Sequence, residues 1–197
     1  MFFSHHTTKK TPLVFVLFWK RSNFVIGRQH ACLHLYIYTI MKKIANPFAH
    51  REGYRCFGCS HDNPMGLRME FYEDGDDIVS FWKPNPDLQG WLNVLHGGIQ
   101  GTLLDEAAAW VVFRKLQAMG VTSKLELKYR KPVLTTDTQL TVRGHLASHR
   151  GSIAVIDLTL QNSAGTVCTE ARATYFLFDE TTARKNGFNG CALEEEQ

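Results

Sequence analysis

The sequence predicts an α+β domain in which a curved antiparallel sheet wraps around one long buried helix. A mostly apolar run at helical spacing follows the glycine pair Gly97 and Gly98. This run is apolar around most of its circumference, so the helix needs a sheet to cover it. Four later segments have the composition of strands, and the short turns between them imply antiparallel neighbours.

The composition is that of a soluble globular protein with one sizeable core. The 197 residues are 44% hydrophobic and 21% charged. The formal net charge of +3 comes from scattered basic residues, so no nucleic-acid partner is predicted. An odd number of cysteines in a chain of this length predicts reduced thiols in a cytoplasmic protein rather than a disulfide scaffold. The cysteines are Cys32, Cys56, Cys59, Cys168 and Cys191.

Residues 1–40 differ from the rest of the chain. Their apolar stretch at residues 13–19 is too short for a transmembrane helix, which takes about 20 residues, and no small-residue cleavage site follows it. We therefore expect no membrane partner, and a membrane-associating leader is the alternative. At Met41 the sequence restarts like a bacterial cytoplasmic N-terminus, which predicts that residues 1–40 are an upstream extension, disordered or not part of the native protein.

Residues 41–67 are predicted to be an N-terminal lead-in that contains a Cys-x-x-Cys loop. Because His50 and His61 are near Cys56 and Cys59 in the sequence, a zinc site is one interpretation. A structural zinc site needs four ligands, and no second Cys-x-x-Cys or His pair follows at the required spacing. We therefore predict no metal and interpret the segment as a compact loop that leads into the first strand.

The domain itself is predicted over residues 68–180. Strands at 68–72 and 78–82 flank a polar turn and form a hairpin. The helix follows an irregular connection and extends to Met119, with Gly120 just past its C-terminus. Residues 181–197 are predicted to be a frayed C-terminal tail. The four later strands are expected at residues 122–131, 138–147, 152–161 and 166–178.

Asp105 is the main candidate for a functional group on the helix. Steps of three, four and seven residues place it on a face of small side chains, which a partner backbone or a substrate can approach closely. A carboxylate there is partly desolvated and is a candidate catalytic group, whereas the alternative is an exposed acid near a helix N-terminus. The helix turns the neighbouring Glu106 about 100° away, so only one of these acids is expected to face a substrate.

Three motifs make residues 54–180 similar to the PaaI-like branch of the hotdog-fold acyl-CoA thioesterases. They are His96-Gly97-Gly98, the Leu-Leu-Asp-Glu-Ala stretch at residues 103–107, and the Tyr-Arg-Lys-Pro stretch at 129–132. The resemblance implies a hotdog fold and hydrolysis of acyl-CoA thioesters without a metal or organic cofactor. It also implies a homodimer or a dimer of dimers, with active sites at the subunit interface.

The resemblance further implies roles for single residues. The amide of Gly97 polarises the thioester carbonyl, and Asp105 of the opposite subunit acts as general base or as nucleophile, two roles that a carboxylate can fill. Thr122 corresponds to a residue that orients the water or the acid. Strand alternation groups Thr122 with the outward face, so this role requires a bulge or a different register at the start of the strand. We interpret His96 as shaping the glycine corner, with a role as general base as the alternative.

Four residues are candidates for contacts with the substrate. Gly98 belongs to the glycine corner, and Glu106 is the acid that competes with Asp105. Arg130 and Lys131 carry positive charges that could bind the phosphates of coenzyme A. The alternative for each residue is that it lies on a solvent-exposed strand face without a binding role. Related thioesterases often have an Asn six residues before the corner histidine, where this chain has Gly90. The absence of this Asn is expected to affect the rate and the choice of substrate more than the class of reaction.

Two other functions are compatible with such a scaffold. One is a non-catalytic module that binds acyl-CoA or another small ligand, because fold alone does not establish hydrolysis. The other is a dehydratase acting on an acyl chain, which normally uses a catalytic histidine on the helix. No histidine occurs between His96 and His145, and this weighs against a dehydratase.

Overall fold

The computed structural model describes residues 41–49 and 51–194, so the prediction for residues 1–40 lies outside the described residues, as do Cys32 and His50. Within these described ranges, the main helix α1 (Gly97–Lys115) and a short helix α2 (Glu180–Lys185) accompany nine strands. These are β1 (Lys42–Lys43), β2 (Tyr72–Asp74), β3 (Asp77–Trp82), β4 (Gln89–Trp91), β5 (Val94–Leu95), β6 (Gly120–Tyr129), β7 (Leu140–Arg150), β8 (Ile153–Gln161) and β9 (Val167–Leu177).

Seven of the strands form one antiparallel sheet in the order β1-β2-β3-β7-β8-β9-β6. Helix α1 packs across this sheet and contacts β3, β6, β7, β8 and β9. The predicted α+β architecture is therefore confirmed. Strand β6 lies at one edge of the sheet, and β9 is its only strand neighbour among the described residues.

Helix α1 is covered on the side away from the sheet by the lead-in and by the C-terminal segment. Phe71 stacks on Trp110 with ring centroids 4.4 Å apart. Phe48 and Phe188 pack against Phe113 at centroid distances of 5.7 and 5.5 Å. Because the helix is apolar on most of its circumference, this cover together with the sheet removes most of its apolar surface from water.

The end of α1 differs from the prediction. The helix stops at Lys115 rather than Met119, and Gln117 then takes a left-handed conformation with φ 47°. The Gln117 side chain is held there by hydrogen bonds to the backbone of Cys191. Gly120 does not end the helix but begins β6, where a Cβ would lie 2.4 Å from the carbonyl oxygen of Phe176. This glycine is needed because the β9 backbone approaches so closely.

The predictions for both ends of the domain also need correction. The first hairpin joins β2 to β3, and Tyr72 is the only one of residues 68–72 that pairs within it. Strand β1, which was not predicted, pairs with β2. The segment after β9 is not frayed over its described part. Phe188, Cys191 and Leu193 are each no more than 4% exposed, because the segment packs beside α1. This burial depends on tertiary packing, and the few apolar residues of the C-terminal segment do not predict it from the sequence.

The four strands predicted after the helix are confirmed, each within three residues of its predicted bounds. Gly151 and Gly165, with φ of 58° and 74°, make the turns that join β7 to β8 and β8 to β9. No helix in the described ranges is both long and apolar enough to cross a bilayer.

Candidate active site

The first turn of α1 forms a corner with an unused amide. His96 caps the helix, and its Nδ1 accepts a 2.9 Å hydrogen bond from the Gly98 amide. The Tyr129 hydroxyl donates a 2.9 Å hydrogen bond to the Gly97 carbonyl oxygen and so ties the corner to β6. No described residue accepts a hydrogen bond from the Gly97 amide. This N–H, at the positive end of the helix dipole, is available to a developing oxyanion.

The corner has little room for side chains. A Cβ on Gly97 would lie 3.2 Å from the Tyr129 hydroxyl, and one on Gly98 would lie 3.0 Å from Nδ1 of His96. A Cβ on Gly90 would lie 3.0 Å from Cδ2 of His96. The His96 ring therefore lies in close contact with Gly90, and a side chain at this position would require the ring to shift.

A groove of about 680 Å³ opens beside the corner. Arg130 and Lys131 both line it, but their side chains differ in what they contact. Arg130 is held by Glu170 at 2.7 Å. Lys131 is exposed and forms no ion pair with a described residue. Of the two predicted phosphate contacts, Lys131 is therefore the cation free to meet an anionic ligand.

Asp105 is half-buried further along α1, where β6 and β9 supply its neighbours. The Thr122 hydroxyl donates a 2.7 Å hydrogen bond to its Oδ1. The Tyr175 hydroxyl lies 3.4 Å from its backbone carbonyl oxygen. A β-bulge between Thr122 and Lys124 turns Thr122 toward the helix, and this is one of the two arrangements that the sequence-based assignment allowed. Oδ2 of Asp105 accepts no hydrogen bond from the described residues, so it remains available to water or substrate.

The small-residue face around Asp105 is only partly covered. Ala108 and Val112 are fully buried within the chain's own core. Gly98, Thr102 and Asp105 remain partly or fully exposed. These three residues form an open line along α1 on the side of the edge strand β6.

Glu106 does not share the surroundings of Asp105. Trp110 Nε1 donates a 3.1 Å hydrogen bond to its Oε1, and its Oε2 lies 3.4 Å from Cys56 Sγ. Burial, and then the nearby charge of Cys56, raise the pKa of Glu106 to about 7. The structure thus places Glu106 against the Cys-x-x-Cys loop, away from the Asp105 and Thr122 pair.

Gln100 contributes to the corner but was missed by the sequence analysis. It is only 4% exposed, and its Nε2 donates a 3.1 Å hydrogen bond to the Leu95 carbonyl oxygen. Its Oε1 accepts a 2.6 Å hydrogen bond from the Thr169 hydroxyl on β9. These bonds fix the first turn of α1 to the sheet. A polar side chain within a mostly apolar helix was the available signal.

Comparison with known families and solved structures shows what this chain is similar to. Residues 92–169, which include the glycine corner, Asp105 and Thr122, match the family model of the thioesterase superfamily. A hypothetical thioesterase protein from Streptococcus pneumoniae, solved with coenzyme A, is 26% identical with a TM-score of 0.52, and the match covers 56% of this chain and 85% of that one.

Two more distant structures share the fold. The Escherichia coli PaaI protein from the phenylacetic acid degradation operon is 18% identical with a TM-score of 0.53, over 57% of this chain and 81% of that one. A Streptococcus mutans protein bound to acetyl CoA is 18% identical with a TM-score of 0.54, over 66% and 96% of the two chains. The predicted hotdog fold and the resemblance to PaaI-like thioesterases are thereby confirmed.

One curated relative also matches this chain. An uncharacterised protein of Schizosaccharomyces pombe is 41% identical over 63 residues, which are 32% of this chain. The match spans 36% of the relative's own length.

Proposed function

We propose that this hotdog-fold chain, whose residues 92–169 match the thioesterase superfamily, hydrolyses acyl-CoA thioesters to a free acid and coenzyme A. The observation that carries the proposal is the hydrogen-bonded pair of Asp105 and Thr122 beside an open helix face. An acid with one oriented oxygen and one free oxygen can activate water or attack a thioester directly.

In this proposal the Gly97 amide stabilises the oxyanion that forms on the thioester carbonyl. Its N–H has no acceptor among the described residues, and it lies at the N-terminus of a helix of 19 residues. A preorganised donor at such a position lowers the barrier because it needs no reorganisation as charge develops. His96 shapes the corner through its bond to Gly98.

Gly97 and Asp105 act on one thioester only if they come from different copies of the chain. They are eight residues apart on α1, a separation of about 12 Å along the helix axis at 1.5 Å per residue. A reacting carbonyl has to lie within about 3 Å of both the oxyanion donor and the attacking oxygen. One copy therefore supplies the amide and a second copy supplies the acid, so that a dimer has two equivalent sites.

The surface around β6 suits this pairing. Strand β6 is at the edge of the sheet, and an edge strand exposes unpaired backbone N–H and C=O groups. Val121 and Tyr129, at its two ends, are 50% and 54% exposed. Pairing of β6 with β6 of a second copy about a two-fold axis brings the open line of Gly98, Thr102 and Asp105 against the partner. This pairing gives a homodimer, and two such dimers can associate as a dimer of dimers.

The groove beside the corner suits coenzyme A, with Lys131 as the contact for a phosphate. Two structures in the comparison have coenzyme A or acetyl CoA bound, which supports this ligand class. Variant structures of the pneumococcal protein replace an aspartate and a threonine with alanine, the same residue types as the pair described for this chain.

The test is a panel of acyl-CoA substrates assayed by detection of the free thiol. The proposal expects turnover by the unaltered protein, and loss of turnover with retained binding in the Asp105→Asn variant. A general base contributes about 10²- to 10⁴-fold to rate, so the loss should be in that range. Binding of acyl-CoA with no thiol release by the unaltered protein would instead identify a ligand-binding module.

A further inference from the structure

The Cys-x-x-Cys loop and the middle of α1 bring together three side chains of types that can bind a metal ion. The sulfur atoms of Cys56 and Cys59 and a carboxylate oxygen of Glu106 all lie within 4.8 Å of one another. The distance from Cys56 Sγ to Glu106 Oε2 is 3.4 Å. Tetrahedral zinc, with bonds of about 2.3 Å to sulfur and about 2.0 Å to oxygen, places its ligand atoms about 3.5 to 3.8 Å apart. The cluster is therefore close to the spacing such an ion requires.

Polar side chains of the lead-in surround the Cys59 sulfur. The Tyr54 hydroxyl lies 3.0 Å from Cys59 Sγ, and Asn46 Nδ2 donates to the same sulfur at 3.6 Å. Hydrogen bonds of this kind surround and orient the ligands of metal sites.

The packing of the loop on the helix is close at Gly58. A Cβ at this position would lie 2.3 Å from Glu106 Oε2, so the carboxylate lies directly against the loop backbone. The Glu106 carboxylate forms no ion pair with any described Lys, Arg or His. Arg51 lines the same cavity as Cys56 and Glu106, but its guanidinium donates a hydrogen bond to the carbonyl oxygen of Asn186.

We propose that Cys56, Cys59 and Glu106 bind a thiophilic divalent cation, Zn²⁺ in the first instance, which fastens the lead-in loop to α1. Thiolate ligands favour soft or borderline ions over Mg²⁺ and Ca²⁺. A cavity of about 250 Å³ borders Cys56 and Glu106, and a solvent molecule there completes the coordination. The site is independent of the proposed hydrolysis, because neither Asp105 nor the glycine corner belongs to it.

The sequence alone predicts no metal, because four ligands do not occur close together in it. The third ligand lies 50 residues away from Cys56, and only the fold brings it to the loop. His61, one of the two histidines that suggested zinc, lies 3.6 Å from Glu70 instead. The metal set inferred from the structure therefore differs from the one that the sequence suggested.

A disulfide between Cys56 and Cys59 is the competing use of the two thiols. It would leave the buried carboxylate of Glu106 beside an uncharged disulfide, with Trp110 as its remaining hydrogen-bond donor. A cation accounts for all three side chains, and a disulfide accounts for two. Metal binding therefore explains the cluster more completely than a disulfide does.

The experiment measures metal binding by the full chain under reducing conditions. The metal-free protein is titrated with Zn²⁺ against a chromophoric chelator, and with Co²⁺ by absorption spectroscopy. We expect about one equivalent per chain, a thiolate-to-cobalt charge-transfer band and the visible bands of tetrahedral Co²⁺. Loss of one ligand in Cys56→Ser or Glu106→Gln should weaken Zn²⁺ affinity by at least about tenfold.

Matched controls are available within the chain. Cys168→Ala removes a cysteine outside the cluster, and His61→Ala removes the histidine of the rejected set, so both should bind Zn²⁺ like the unaltered protein. Added Zn²⁺ should raise the Tm of the unaltered protein but not that of Cys56→Ser, a variant at a half-buried position. The proposal is overturned if the reduced protein takes up neither ion, or if Cys56→Ser and Glu106→Gln bind Zn²⁺ with unchanged affinity.

Discussion

The Thr122 hydroxyl donates a 2.7 Å hydrogen bond to Oδ1 of Asp105, across the contact between β6 and α1. The bond exists because a bulge follows Thr122 and turns its side chain toward the helix. One carboxylate oxygen is thereby oriented, while the other stays free for water or thioester. This relationship leads to the first prediction.

Replacing Thr122 with Ala should lower kcat about tenfold with little change in KM, because a hydrogen bond to a charged group is worth about 1.5 kcal/mol. The measurement is steady-state hydrolysis of a preferred acyl-CoA. Thr122→Ser keeps the hydroxyl and serves as control, so it should retain most of the activity. Equal losses in the Ala and Ser variants would show that the methyl group, and not the hydrogen bond, matters.

Replacing Gly97 with Pro should lower kcat by about 10²- to 10³-fold, the cost of removing one oxyanion donor. Proline suits the first position of a helix, and the φ of −58° and ψ of 135° at His96 suit the residue before a proline. The substitution therefore removes the N–H with little other change to the backbone.

Gly97→Ala is the matched control for the proline variant. It keeps the N–H but adds the same Cβ, which lies 3.2 Å from the Tyr129 hydroxyl. The account expects the alanine variant to be much more active than the proline variant. If both lose activity equally, crowding at Tyr129 explains the loss and the amide has no catalytic role.

Replacing Lys131 with Ala should raise KM for acyl-CoA several-fold, whereas Arg130→Ala should change it little, because Arg130 is already paired with Glu170. The effect should shrink at high salt, since exposed charges are then screened. The matched substrate is the same acyl group on N-acetylcysteamine, which lacks the phosphates. An equal rise in KM for that substrate would rule out a phosphate contact.

Glu73 should make folding depend on pH. Partial burial opposes ionisation of Glu73, but its hydrogen bonds to Arg114 and Lys115 outweigh burial and hold the pKa of Glu73 below its ordinary value. The stabilisation is therefore fully present above the pKa of the unfolded chain, about 4.3, and is lost as the pH falls through the lower pKa of the folded state.

The measurement is the Tm of the unaltered protein and of Glu73→Gln between neutral and acidic pH. At neutral pH the variant should be less stable by about 1 to 3 kcal/mol, because it loses charge-assisted hydrogen bonds. The two curves should converge in acid, where Glu73 is protonated. A difference that is constant over the whole range would contradict a role for the Glu73 charge.

The sequence predicted the elements whose signals are local. The apolar run after Gly97 and Gly98 predicted α1, and alternation with short glycine turns predicted the four later strands. Strand alternation also showed that Thr122 could meet Asp105 only through a bulge or a different register at the start of the strand, and the structure has the bulge.

What the sequence did not predict depends on long-range packing. Glycine is common just after the C-terminus of a helix, but Gly120 lies in a strand, where the backbone of Phe176 in β9 approaches it closely. Cys191 and Leu193 become buried only because the C-terminal segment folds back along α1. Glu106 meets Cys56 only in three dimensions, so its place beside the Cys-x-x-Cys loop had no signal in the spacing.

The most direct test of the shared active site mixes two inactive variants, Asp105→Asn and Gly97→Pro, by co-refolding equal amounts. In a mixed dimer, one site combines the intact amide of the first variant with the intact acid of the second, and the other site has neither. Random pairing should therefore restore about one quarter of the activity of the unaltered protein. A mixture no more active than its two components would show that Gly97 and Asp105 do not act together across a subunit interface.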